Sequence, residues 1–191
     1  WMTAGRGVIH SELPHPDFEK TGGIMHGFQI WVNLPAADKM MQPRYQDIPA
    51  EEIPIATSND GLVKVRVIAG QSLGQSAIID TVIPITFLHI TLKPGGKITQ
   101  VLDKGLNGMI YCFSGQLNVE NKVLHDGQLG LLSDGEKVSI SVSESANNDV
   151  NILLLAGPQI NEPIARYGPF VMNTEQEIMQ AINDYNSGKL A

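Results

Sequence analysis

His10 and Glu12 stand two residues apart in the run Arg6-Gly-Val-Ile-His-Ser-Glu12. In an extended chain, residues two apart share a face, so the imidazole and the carboxylate project together. A neutral imidazole beside a carboxylate is a ligand pair for a first-row transition metal, iron among them. Two ligands alone rarely hold such an ion, so the pair reads as half of a metal site. The chain opens on Trp1, with no leader or linker before this run, and reads as the continuation of something upstream.

The other reactive side chains read more plainly. His89, in Thr86-Phe-Leu-His-Ile-Thr-Leu92, reads as a hydrogen-bonded strand histidine, and His125, before Asp126-Gly127, as a turn residue. His15 sits between Pro14 and Pro16, where it is a weak candidate for a substitute ligand, and His26 begins an apolar stretch. Cys112 lies in the apolar run Met109–Phe113, which favours a buried, inert thiol over a nucleophile. Gly5-Arg-Gly7 is not followed by a helical pattern, so it is no phosphate loop. Arg166 is expected to tie the last crossing of the chain to the sandwich through a carboxylate or backbone carbonyls.

The elements that must position these groups are mostly strands. Nineteen glycines and eleven prolines separate many short β-branched runs, the signature of an all-β sandwich or barrel. Candidate strands are residues 27–34, 63–69, 78–83, 86–92, 109–113, 116–119, 137–142 and 151–156. Pro35 to Pro54 holds four prolines, too many breakers for a long element, and reads as a surface crossover between two β-domains. Near the end, Thr174 and Glu177 form a capping box for a helix whose apolar stripe is Ile178, Met179, Ile182 and Tyr185, with Gly188 as its stop. This helix is expected to dock against a β-sandwich.

With 42% apolar and 17% charged residues, the composition is that of an ordinary globular protein with a sizeable core. A net charge of -7 argues against direct nucleic-acid binding. No apolar run reaches membrane-span length. The single cysteine excludes an intrachain disulfide and fits a reducing compartment, the cytoplasm or, in a eukaryote, also the nucleus.

Four stretches in order carry a resemblance: Trp1 to Glu12, Gly27-Phe-Gln-Ile-Trp-Val-Asn-Leu-Pro35, Pro43-Arg-Tyr-Gln46, and Glu162-Pro-Ile-Ala-Arg-Tyr-Gly-Pro-Phe-Val-Met-Asn-Thr174. They resemble the pirin family, two-domain members of the cupin superfamily. The resemblance implies a bicupin with an incomplete first domain: its last strands in residues 1–34, a crossover over 35–57, the second cupin over 58–172, and a helix and tail over 173–191. Roughly the first third of a family member has no counterpart. Strands such as Gly27 to Leu34 would then have open edges, which predicts edge-paired dimers, a retained upstream fragment, or aggregation.

The family also implies chemistry. One metal, usually iron, is held in the first barrel by three histidines and a glutamate, the last two from a His-x-Glu that His10 and Glu12 match. The upstream histidine pair has no counterpart, so Fe(II) or another divalent metal would be incompletely liganded by this chain. Metal-binding cupins carry a His-x-His after a Pro-Gly turn, and Pro94 to Asp103 holds no histidine, so the second barrel reads as metal-free. Some pirins resemble quercetin 2,3-dioxygenases; a flavonol would chelate the metal and Glu12 would take its hydroxyl proton. The alternative is a non-enzymatic regulator, a transcription cofactor or a modulator of a metabolic enzyme, acting through protein contacts.

Overall fold

The computed structural model describes residues 1–14 and 16–190. The chain begins with β1 (Met2–Thr3), α1 (Pro16–Thr21), α2 (Ala36–Lys39), β2 (Arg44–Tyr45) and β3 (Ile55–Thr57). Next come β4 (Val63–Ala69), the small hairpin β5 (Gln71–Ser72) and β6 (Gln75–Ser76), β7 (Thr86–Leu92), β8 (Lys97–Val101) and β9 (Leu106–Ser114). They are followed by β10 (Gln116–Val119), β11 (Lys122–His125), β12 (Leu129–Leu131), β13 (Lys137–Ser141) and β14 (Val150–Pro158). The hairpin β15 (Ala165–Tyr167) and β16 (Phe170–Met172) precedes the terminal helix α3 (Glu175–Asn186). The chain falls into two compact units, one of Gln46–Gln159 with Trp1, the other of Met2–Tyr45 and the chain from Ile160.

The first unit is two antiparallel sheets, ordered β12-β9-β14-β7-β4-β3 and β11-β10-β13-β8. Alternation makes β4 two-faced: Val63, Val65, Val67 and Ala69 are wholly buried while Lys64 is exposed. Leu88, Ile90 and Leu92 of β7, Ile110 and Cys112 of β9, and Ile152 and Leu154 of β14 fill the same layer. Ile98 of β8 and Val138 and Ile140 of β13 close it from the other sheet. This is one continuous hydrocarbon core between sheets, the interaction that dominates folding. The strands expected over 63–69, 86–92 and 116–119 have those bounds.

Two expected strands are absent from the described residues. Over 78–83 the backbone groups of Asp80 are taken by one side chain: Gln46 Nε2 donates to the Asp80 carbonyl at 2.8 Å, and the Asp80 N–H donates to Gln46 Oε1 at 2.9 Å. A segment satisfied by a distant glutamine needs no ladder. Residues 27–34 run without any ladder partner, leaving Ile30, Trp31 and Val32 exposed. Conversely, α1 and β8 were not expected; α1 begins on Pro16 with Asp17 and Glu19 in its first turn, which suits a helix N-terminus.

In the second unit β1 pairs with β2, β15 pairs with β16, and α3 packs on β16 and β15, a hairpin rather than the sandwich expected for it. The capping box is formed: Thr174 Oγ1 accepts from the Glu177 N–H, and Glu177 Oε2 accepts from the Thr174 N–H. Gly188 follows at φ +71°, the left-handed stop expected of it. Of the stripe, Ile178 is buried and Ile182 half-buried, while Met179 and Tyr185 face solvent. No helix among the described residues is long and apolar enough to cross a membrane.

Candidate functional site

The run that carries His10 and Glu12 is aimed by a tight turn. The Arg6 N–H donates to the Met41 carbonyl and the Gly7 N–H to the Ala4 carbonyl, both at 2.9 Å. Gly5 sits at φ +53° with its Cα against the Met41 carbonyl, so a side chain there would collide with backbone. Gly7, at φ +133°, lies against Leu190, and an added Cβ would come 2.5 Å from Leu190 Cγ. After this turn the chain continues outside any ladder through His10 and Glu12, and both residues are exposed. Among the described residues this run has no strand partner.

Glu12 has a partner that sequence reasoning missed. Gln29 Nε2 donates to Glu12 Oε1 at 2.9 Å across seventeen positions of sequence. An imidazole and a carboxylate are donors that a first-row divalent ion accepts, so by type they fit as part of a site. Among the described residues no group of three or more His, Cys, Asp or Glu could hold an ion, so the chain offers two donors and not a closed site. His15, the weak substitute candidate, lies outside the described residues. His26 stacks at 5.2 Å on the Phe28 ring.

In the same unit, polar groups link residues 33–39 to residues 162–173. Lys39 is buried, its Nζ donating to Asn33 Oδ1 at 2.6 Å. Desolvation pulls its ammonium below the ordinary lysine range, and the charges of Glu162 and Glu177 oppose that shift. Glu162 Oε2 accepts from the Ala36 N–H at 2.7 Å and from Asn173 Nδ2 at 2.9 Å. Among the described residues no carboxylate or carbonyl partner is found for Arg166; its guanidinium lies 5.2 Å over the Trp31 ring. Nothing local marks this lysine as buried: its hydrogen-bond partner Asn33 is six positions away, but the charges beside it, Glu162 and Glu177, come from more than a hundred positions along the chain.

In the first unit, the buried polar group along the stretch after Pro94 is bonded within the fold. From the Pro94 turn to Asp103 the inward positions are Ile98, Gln100 and Leu102. Gln100 is spent on structure: Ser72 Oγ donates to its Oε1 at 2.7 Å, and its Nε2 donates to the Gln71 and Val101 carbonyls. A concavity of about 240 Å³ at the barrel end is floored by Leu102, Leu106, Leu132 and Val138. Cys112 is buried, and desolvation raises its thiol above the ordinary range, as an inert cysteine requires. His89 Nε2 lies 3.2 Å from Asn151 Oδ1, which also accepts from Thr91 Oγ1 at 2.8 Å. An amide oxygen only accepts, so His89 is the donor and has the bonded strand role expected of it. His125 closes β11, its N–H donating to Gln128 Oε1 at 2.9 Å at the mouth of the turn.

Two family models match the chain. The model of the Pirin C-terminal cupin domain matches residues 87–191, and the Pirin model matches residues 1–32. A pirin-like protein of Solanum lycopersicum is 39% identical and human pirin 37% identical, each over 99% of this chain. A crystal structure of quercetin 2,3-dioxygenase from Acinetobacter baumannii superposes with a TM-score of 0.92 at 38% identity, covering 100% of this chain and 66% of that one. The chain spans about 63% of the length of the tomato and human proteins. With its all-β cupin fold and terminal helix, the chain belongs to the pirin family.

Proposed function

We propose that the chain contributes His10 and Glu12 to a single divalent-metal site, Fe(II) by preference, at which a flavonol-type substrate is oxidised by dioxygen in the manner of a quercetin 2,3-dioxygenase. The observation that carries this reading is the likeness to the Acinetobacter enzyme along the whole chain, at 38% identity. In this reading residues 1–34 supply the end of the metal-bearing domain, 35–57 the crossover, 58–172 the metal-free second domain and 173–191 the closing helix.

The metal, when bound, would polarise the substrate oxygens that chelate it and make the flavonol hydroxyl more acidic. Glu12 then has two tasks on its two oxygens. Gln29 occupies Oε1, and the carboxylate faces solvent, where it can take the hydroxyl proton. His10, exposed beside it, supplies nitrogen. The remaining donors must come from outside the described residues, so the chain by itself is expected to turn over little or no flavonol.

The experiment is a fusion. The upstream part of the Acinetobacter enzyme is joined before Trp1, and flavonol loss and O2 uptake are followed with Fe(II) and with chelator. Turnover that needs Fe(II) and falls at least about a hundredfold in His10→Ala supports the reading. Turnover indifferent to His10 and Glu12 contradicts it. A second reading is a non-enzymatic regulator that binds protein. Partner capture that survives His10→Ala and Glu12→Ala would favour it.

A further inference from the structure

β12 ends the six-stranded sheet, with β9 on one side and no strand on the other. Its register pairs Leu129 with Tyr111, Gly130 with Ile110 and Leu131 with Met109. The Cys112 N–H donates to the Gln128 carbonyl at 3.0 Å and the Leu132 N–H to the Gly108 carbonyl at 2.9 Å. Bonded and non-bonded pairs alternate in an antiparallel ladder, so Gln128, Gly130 and Leu132 turn their backbone groups to β9. The N–H and C=O of Leu129 and Leu131 therefore point away from the sheet in its plane, and among the described residues they meet no partner. Apart from its shortness the edge is unguarded: Leu129-Gly-Leu131 carries no charge, no proline and no bulge.

The side chains on this edge are as uncovered as its backbone. Leu129 is 52% and Leu131 78% exposed, and with Met109, Tyr111, Leu153 and Leu155 they make an apolar shelf on the face turned away from the core. An added strand would satisfy the free backbone groups at a two-residue period and lay alternate side chains on that shelf. Charge selects the strand. Residues 123–136 carry Asp126, Asp134 and Glu136, all exposed, and no lysine or arginine. A second copy of this chain, itself at net charge -7, would bring the same carboxylates against each other, whereas a basic segment would be drawn in. We propose that β12 is a docking edge for an extended peptide of another protein, apolar at alternate positions and flanked by lysine or arginine, added to the sheet beyond Leu129 and Leu131. This edge belongs to a different compact unit from His10 and Glu12 and needs no metal.

The test follows amide hydrogen exchange of the chain by NMR while a short synthetic peptide is added, threonine and valine in alternation with a lysine pair at each end. At saturation the Leu129 and Leu131 amides are expected to exchange at least about tenfold more slowly, while Gly130, already bonded to β9, changes least. N-methylation of the peptide's valines removes its donors and should abolish that protection. Leu131→Lys should abolish it too, with melting unchanged because the side chain is exposed. No slowing at Leu129 and Leu131 overturns the docking edge, and equal slowing by a peptide with glutamates at its ends overturns the basic partner. Slowing without peptide that grows with protein concentration assigns the edge to a second copy and overturns the proposal. So does slowing without peptide when the upstream part of the Acinetobacter enzyme is fused before Trp1, which assigns the edge to that part.

Discussion

The two compact units solve the same problem with different materials. In the first, nearly every strand turns alternate residues into one core, and Val63, Ile90, Ile110, Ile152 and Leu154 lose all contact with water. In the second, Ile178 is the one fully buried large apolar side chain among the described residues, and polar links carry much of the cohesion: Lys39 with Asn33, Glu162 with Asn173 and the Ala36 N–H, Arg166 over Trp31. The difference teaches where chemistry is available. In the first unit the inward positions Ile98, Gln100 and Leu102 are spent on packing and on hydrogen bonds within the fold. The run after Gly7 leaves the His10 imidazole and the Glu12 carboxylate exposed.

The comparison breaks first in the core. Leu154→Ala should cost about 2–5 kcal/mol in urea unfolding of the first unit, because a wholly buried side chain leaves a cavity. A loss under about 1 kcal/mol would mean the barrel core is less rigid than its close packing implies. Thr174→Ala, which removes one half of the capping box, should cost about 1 kcal/mol and lower helicity at α3 while leaving the first unit intact. Amide exchange along the chain separates the two units in that experiment.

Acid should act on the second unit through the same cap. The Thr174 hydroxyl first, then the Thr174 and Asn173 N–H groups and the charge of Lys39, hold the Glu177 carboxyl below its ordinary value. A carboxyl whose folded pKa is depressed stabilises the fold above its unfolded pKa, and that contribution is lost as pH falls through the folded one. Amide protection at α3 should therefore hold at pH 5 and drop below about pH 4, the ordinary glutamate range. Protection that is flat down to pH 3 would remove Glu177 from the account. The smallest effect is expected at the candidate ligands: His10→Ala and Glu12→Ala, both exposed, should change stability by no more than about 0.5 kcal/mol. A larger loss would make the pair structural.

Much of the fold was legible because the strands of the first unit obey a period of two. Val63–Ala69 and Thr86–Leu92 alternate cleanly, and their bounds could be read off directly. Residues 78–83 misled because an apolar run was taken for a ladder, whereas Gln46, thirty-four positions away, satisfies Asp80. Lys97–Val101 was passed over because its alternation is short and hidden behind the Pro94-Gly-Gly turn. At the candidate site, the His10 and Glu12 pair was visible from spacing and family resemblance together. Gln29 was not, since nothing local marks a glutamine that reaches back to a carboxylate. Lys39 was equally silent, because a buried lysine looks like any other in a charged, proline-rich stretch.

The central claim is that the chemistry of this chain lies at His10 and Glu12 and not in its second barrel. Paramagnetic broadening by Co(II), mapped over every assigned amide of the chain fused to the upstream part of the Acinetobacter enzyme, tests it most directly. The account predicts loss of signal centred on residues 8–13 and on Gln29, with the core strands around Ile98, Gln100 and Leu102 untouched. Broadening centred on the second barrel, or none near His10, would contradict it.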